Sequence, residues 1–302
     1  MKQILFSVLI LLIGCKNESK KIKTGENEIN TVLNEYYELI KPNDSKALLI
    51  LFPGGGTTSK ETKENFKIVD KAKKNGISIL LMNFNRHFWI EDEDSQELSR
   101  LITKAVEQNN LKTDKVFIGG MSIGGNVALA LSNYLSRTNS SIKPKGVFVV
   151  DSPIDLYALY ESSQKDVRRK DLSEERLEEP KFIIDYFEEQ LGGKDSLLFK
   201  FQKVSPITLK TKNIENIKNL NNEKLRFYTE PDTLWLKENR QTDFESTNAY
   251  TLQKAKMLLN GKNWDNVELI QTKNKGFQKD GERNPHSWSI VDVNDLINWI
   301  LE

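Results

Sequence analysis

The sequence predicts an α/β fold: a mainly parallel sheet flanked by helices, with a helical cap inserted into it. Two observations carry this expectation. Short, continuous apolar runs of strand length alternate with longer segments of helical periodicity, and a strand that is apolar at every position is one covered on both faces, as in a parallel sheet between helix layers. The alternation fails once, between Asp155 and Val204, where charge is dense in SSQKDVRRKDLSEERLEEP and only helix signals remain. That segment, about 155–204, is read as the cap.

In chain order, Ala47 to Phe52, ALLILF, is the first buried strand. Glu61 to Lys74 reads as one helix stopped by Gly76, because glycine ends helices by turning left-handed past the last turn. Ile77 to Met82, ISILLM, is the second strand. Leu98, Leu101, Ile102 and Val106 recur at three and four residues, which makes Ser95 to Asn109 helical. Lys115 to Gly119 is a strand, Gly124 to Leu135 a helix and Gly146 to Val150, GVFVV, a strand. Inside the cap, Pro180 to Leu191 has proline at its start and Gly192 at its end, the usual asymmetry of a helix. The rhythm resumes with a strand over Leu225 to Tyr228, a helix around Ala249 to Leu259 and a strand from Val267 to Thr272. Asp292 is a fitting N-cap for a last helix, in which Val293, Leu296, Ile297, Ile300 and Leu301 form one apolar stripe.

Composition narrows the function classes. A chain of 302 residues with 38% hydrophobic residues can bury a sizeable core. Its 44 Lys and Arg nearly balance 43 Asp and Glu, and the resulting +1, dispersed along the chain, implies no nucleic-acid partner. Two His and one Cys are too few for a Cys/His structural zinc site or an internal disulfide. No metal or organic cofactor is called for.

The chain begins Met1-Lys2 and continues with a mostly apolar run from Ile4 to Ile13. Spanning a bilayer takes about 20 residues of helix, so this run is too short for that and suits the hydrophobic region of a secretory signal. It ends in Leu12-Ile13-Gly14-Cys15, which resembles the lipobox of bacterial lipoproteins. The resemblance implies that residues 1–15 are a signal peptide ending at Cys15, and that this cysteine is lipidated and leads the mature chain. It further implies an exported protein of the bacterial cell envelope, attached to a membrane through the lipid. Residues 16–30, charged and almost without apolar side chains, read as a solvated tether. The folded domain is then 31–302.

Around one serine, Gly119, Gly120, Gly124 and Gly125 gather four of only 16 glycines. Gly120-Met121-Ser122-Ile123-Gly124 is a G-x-S-x-G sequence between a predicted strand and a predicted helix, the setting in which that pattern means a nucleophile elbow. There a serine sits on a strained turn, and flanking glycines avoid collision with the neighbouring strand and helix. Upstream, LFPGGG from Leu51 to Gly56 places Gly54 and Gly55 directly after a strand. Their amides, with that of Ile123, would form an oxyanion hole, in which one donor is worth about 2.7–4 kcal/mol to an acyl-transfer transition state. The base must be His87 or His286. His286, in RNPHSWSIV between the last strand and the final helix, is preferred, while His87, among aromatic residues in NFNRHFW, is expected to pack or to line the substrate rim. The orienting acid should follow a strand between serine and histidine. Asp232 is preferred, because Pro231 can open a turn that presents it. Glu230 is expected to be a surface or rim carboxylate, and Asp151 and Asp155 are the fallback acids.

The order Ser122, Asp232, His286, with a glycine-rich loop upstream and a cap, resembles the α/β-hydrolase fold, and the resemblance covers about Ala47 to Glu302. It implies a serine hydrolase that cleaves a small-molecule carboxylic ester through an acyl-enzyme, with Ser122 as nucleophile, His286 as base and Asp232 fixing the imidazole. A peptidase acting on a peptide substrate is the nearest variant. A hydrolase-fold binding protein with a vestigial triad is the alternative from another class, since fold alone does not establish activity. The glycine-rich loop begins Phe52-Pro53 where many lipases and esterases carry histidine.

Overall fold

The computed structural model describes residues 20–24 and 29–302, apart from residue 194. The signal segment and Cys15 lie outside the described residues. One sheet of nine strands forms the centre: β1 Lys20–Thr24, β2 Ile29–Leu33, β3 Tyr37–Lys41, β4 Ala47–Phe52, β5 Ile77–Met82, β6 Val116–Met121, β7 Pro144–Val150, β8 Lys224–Thr229 and β9 Val267–Gln271. Their spatial order is β1-β2-β3-β5-β4-β6-β7-β8-β9. The first three strands are antiparallel to one another, and β3 is antiparallel to β5. From β5 to β9 every pairing is parallel. The helices are α1 Ser59–Asn65, α2 Val69–Lys74, α3 Asp92–Asn109, α4 Ile123–Arg137, α5 Leu156–Val167, α6 Glu174–Gln190, α7 Leu197–Val204, α8 Thr233–Trp235, α9 Asn248–Asn260 and α10 Val293–Leu301.

The run ALLILF is buried at all six positions, and alternate residues serve opposite faces. Leu48, Ile50 and Phe52 pack with Ile102 of α3 and Val127 and Leu131 of α4. Leu49 and Leu51 pack with Phe66, Leu296 and Ile300 on the other side. The parallel, doubly covered sheet expected from the apolar strands is thus present. The chain passes from β4 to β5 on one side and then crosses back to β6 on the other. The strand order therefore reverses between β4 and β6, and such a reversal opens a crevice at the strand carboxyl ends.

Several expectations need correction. The helix over 61–74 is two helices, because Phe66 and Ile68 are both buried at a spacing of two, which a single helix cannot place on one face. Phe66 takes an extended conformation between them and stacks on Trp288, with ring centroids 4.5 Å apart. The helix expected to start at Pro180 starts at Glu174, where Ser173 caps it by accepting from the Arg176 amide, leaving Pro180 inside. The tether expected over 16–30 contains β1, an edge strand whose polar sequence KKIKT carries no apolar alternation.

The cap is α5, α6 and α7, with an apolar cluster of its own made by Leu156, Tyr160, Ile183, Phe187, Leu197 and Phe201. Phe187 is at its centre, 5.0 Å in ring centroid from both Phe88 and Phe201. Phe88 belongs to the loop after β5, so the cap is seated on the body through aromatic contact. The segment between β8 and α9 also covers the crevice, which the sequence did not foresee. Arg176 of α6 donates to the Arg240 carbonyl at 2.8 Å, and Lys165 of α5 pairs with Asp243.

Candidate active site

The two strands bordering the crevice end in the two glycine-rich segments. Phe52 of β4 lies opposite Gly120 of β6, so the loop from Pro53 to Gly56 rises beside Ser122. A Cβ on Gly54 would lie 3.7 Å from the Cβ of Ser122, and one on Gly55 would lie 3.2 Å from Cδ1 of Ile123. Ser122 has φ 53° and ψ −130°, a conformation that costs a residue with a side chain about 1–3 kcal/mol. Two bonds hold it there: its amide donates to Val150 O at 2.9 Å, and its carbonyl accepts from the Gly125 amide at 3.0 Å. The flanking glycines are required by space. A Cβ on Gly120 would fall 2.1 Å from Gly124 O, and one on Gly124 would fall 2.2 Å from Pro53 O.

The amides of Gly54, Gly55 and Ile123 have no hydrogen-bond acceptor among the described residues. Ile123 opens α4, where the first amides are unsatisfied by the helix and carry its partial positive charge. Three donors expected for an oxyanion therefore stand free beside the serine.

His286 meets Asp151, with Nδ1 2.7 Å from Oδ2. Asp151 is the first residue past β7 and is itself held at φ 44°. Its amide donates to Tyr228 O at 2.8 Å, its Oδ1 accepts from Thr229 Oγ1 at 2.9 Å, and its carbonyl accepts from Asn248 Nδ2 at 2.9 Å. The carboxylate is thus fixed by β8 and α9 before the imidazole reaches it. Burial favours the neutral imidazole, but the hydrogen bond and charge of Asp151 outweigh it and hold the His286 pKa above the ordinary histidine value. Ser122, Asp151 and His286 line one cleft of about 1430 Å³, with Gly54, Gly55 and Ile123 in the same wall.

Asp232, the acid preferred from the sequence, does not reach His286. Pro231 leads into a helix start instead of a turn facing the cleft: Oδ1 of Asp232 caps α8 by accepting from the Trp235 amide at 3.1 Å, and Oδ2 lies 2.6 Å from Arg283 Nη2. Glu230 lines the cleft wall but is no surface carboxylate. It is 3% exposed and accepts from Thr272 Oγ1 at 2.8 Å and from the amides of Lys275 and Gly276 at 2.9 and 3.2 Å, and it also pairs with Arg283. Burial alone would raise its pKa, yet these donors bring it below the usual carboxylate value. Glu230 anchors the start of the loop that carries His286. Asp155 caps α5 through the Ala158 amide and accepts from Leu209 N at 2.8 Å, with its pKa raised by burial. His87 stacks on Phe84, centroids 4.6 Å apart, and lines a separate shallow pocket.

Asp151, a fallback in the sequence, is thus the acid at the imidazole. The signal that singles it out is position: like Ser122 it directly follows its strand, while Asp232 comes three residues after β8. Among the described residues, no cluster of three or more His, Cys, Asp or Glu could hold a metal ion.

No family model matches the chain, and no curated protein does. Solved structures are similar to it over most of its length. Fluorophosphonate-binding serine hydrolase F of Staphylococcus aureus, FphF, gives a TM-score of 0.52 at 12% identity over 95% of this chain and 99% of its own. The fold is that of the α/β-hydrolases. An esterase of Pyrococcus furiosus gives 0.50 at 18% identity, covering 94% of this chain and 89% of its own. The acylaminoacyl peptidase of Pyrococcus horikoshii gives 0.52 at 16% identity over 95% of this chain, which spans 41% of that larger protein. In each case the likeness is one of fold.

Proposed function

We propose that this chain is a serine hydrolase of carboxylic esters, working through Ser122, His286 and Asp151. The observation that carries the reading is the strained Ser122 standing beside three unengaged amides in the cleft where His286 is already paired with Asp151. The names of the similar structures, two hydrolases or esterases and a peptidase, accord with acyl transfer.

The chemistry follows from these groups. Asp151 accepts Nδ1–H and so leaves Nε2 of His286 as the basic nitrogen. Nε2 takes the hydroxyl proton as Ser122 Oγ bonds to the ester carbonyl carbon. The carbonyl oxygen becomes an oxyanion facing the amides of Gly54, Gly55 and Ile123. As the carbon–oxygen bond to the alcohol breaks, the imidazolium returns the proton to the leaving oxygen, and an acyl-serine remains. Water repeats the sequence, with His286 again taking its proton, and frees the acid and Ser122. Lipid attachment through Cys15 belongs to the same proposal and is supported by the Leu12 to Cys15 sequence alone.

Triad members act as a unit, so Ser122→Ala and His286→Ala should each remove nearly all turnover of a 4-nitrophenyl ester, by about 10³-fold or more. The double variant should be little worse than either single one. Multiplying losses in the double variant would mean that the two side chains act independently and would sink the mechanism.

A further inference from the structure

Resting on that functional reading, we infer that the cleft takes a substrate bearing a carboxylate, which Arg176 of the cap binds together with Arg240 beside it. Both guanidinium-bearing residues line the cleft that contains Ser122. They arrive from separate segments, Arg176 from α6 and Arg240 from the end of a π-helical turn, Leu236–Arg240, and are joined by the bond from Arg176 Nη2 to the Arg240 carbonyl. π-helical turns are uncommon and concentrate at functional sites.

Of the carboxylates on the cleft wall, Asp151 serves His286, Glu230 serves Arg283, Glu64 pairs with Lys279 and Asp280 accepts from the Glu282 amide. Asp166 lies 3.6 Å from Arg169, its pKa raised by burial and lowered in part by Arg169 and Arg176. Glu179 is exposed to water on α6. Among the described residues, no carboxylate stands within 4.0 Å of Arg176 or Arg240. Nε of Arg176, like that of Arg226, is buried with no hydrogen-bond partner among the described residues. A buried, unsatisfied donor on a charged group costs more than a neutral one, and native proteins seldom leave such a group without a use. A planar guanidinium with free donors fits a carboxylate in two parallel bonds. Arg240 lowers and Glu179 raises the His286 pKa, so both groups act within electrostatic reach of the reacting centre. At about 1430 Å³ the cleft exceeds the roughly 300–1,000 Å³ of ordinary small-ligand pockets, leaving room for a charged end beyond the scissile bond.

The carboxylate could sit on the acyl or on the leaving side, and the test separates the two. Rates would be compared for 4-nitrophenyl monoesters of succinate, glutarate and adipate against neutral 4-nitrophenyl esters of matched length, and for butyryl 4-hydroxybenzoate against its methyl ester. Each would be run on the full chain and on Arg176→Gln, Arg176→Lys and Arg240→Gln, with phosphonate adduct at Ser122 measured in parallel. We expect at least one anionic ester to be favoured in kcat/KM about tenfold or more over its neutral partner, the range expected of a charge-assisted bond. That ratio should collapse in Arg176→Gln, fall in Arg240→Gln and be partly restored in Arg176→Lys. A Ser122 that takes the adduct in every variant, with anionic and neutral esters equally preferred, would overturn this inference and leave the hydrolase reading standing. No adduct in the wild-type chain would overturn both.

Discussion

At the scale of the residue, the account turns on which carboxylate serves His286. Asp151 lies 2.7 Å from Nδ1, whereas Asp232 is spent on Arg283 and on capping α8. Asp151→Asn should therefore lower kcat by about 10³–10⁴-fold, because asparagine holds the imidazole in the wrong tautomer. Asparagine also tolerates the positive φ of this position, so the fold should survive. Asp232→Asn loses a partly exposed ion pair while asparagine can keep the cap, and should change kcat by less than about tenfold. Equal losses in the two variants would contradict the assignment. The pH profile checks it separately. Since Asp151 raises the His286 pKa, the acidic limb of kcat/KM should lie above the ordinary histidine value, with activity lost as pH falls through it. In Asp151→Asn the residual activity should persist to lower pH.

At the scale of the element, the strands and helices that position the site were legible, and what was not legible is local. ALLILF, ISILLM and GVFVV declared themselves because parallel strands are apolar throughout, and the G-x-S-x-G pattern between strand and helix located Ser122. The acid was hidden because the sequence does not say how far past a strand the chain remains in the crevice: Asp232 has already turned into α8, while Asp151 has not. β1 escaped notice because KKIKT carries no apolar pattern, and β3 because the charged but buried Glu38 interrupts its short apolar run. The elbow's packing gives a prediction on stability. Gly124→Ala would set a Cβ 2.2 Å from Pro53 O, against backbone that cannot yield cheaply, and should destabilise the protein by about 1–3 kcal/mol in denaturant unfolding. Gly261→Ala, whose Cβ would meet nothing nearer than 3.4 Å at φ −65°, should be neutral or stabilising by up to about 1 kcal/mol. Equal stability of the two variants would refute the steric account of the elbow.

At the scale of the whole molecule, a rigid sheet carries the reacting groups while the cap and the segment before α9 close over them. The cap joins the body by aromatic packing at Phe88 and joins the neighbouring segment by polar contacts such as that of Arg176 with the Arg240 carbonyl. On the proposed reading, specificity would lie on elements separate from those that hold the serine. Among the described residues, no helix is long and apolar enough to cross a membrane. The proposed attachment rests on the Leu12 to Cys15 sequence alone. Cys15→Ser should move the protein out of the membrane fraction or block its processing, and unchanged fractionation and mobility would refute the lipid anchor. Whether Ser122 is an activated nucleophile can be measured without knowing any substrate. Intact-mass analysis after treatment with a fluorophosphonate should show one adduct on the wild-type chain, mapped to the peptide containing Ser122 and absent from Ser122→Ala. A folded wild-type protein that takes up no adduct, or carries it on Ser152 or Ser287, would contradict the account.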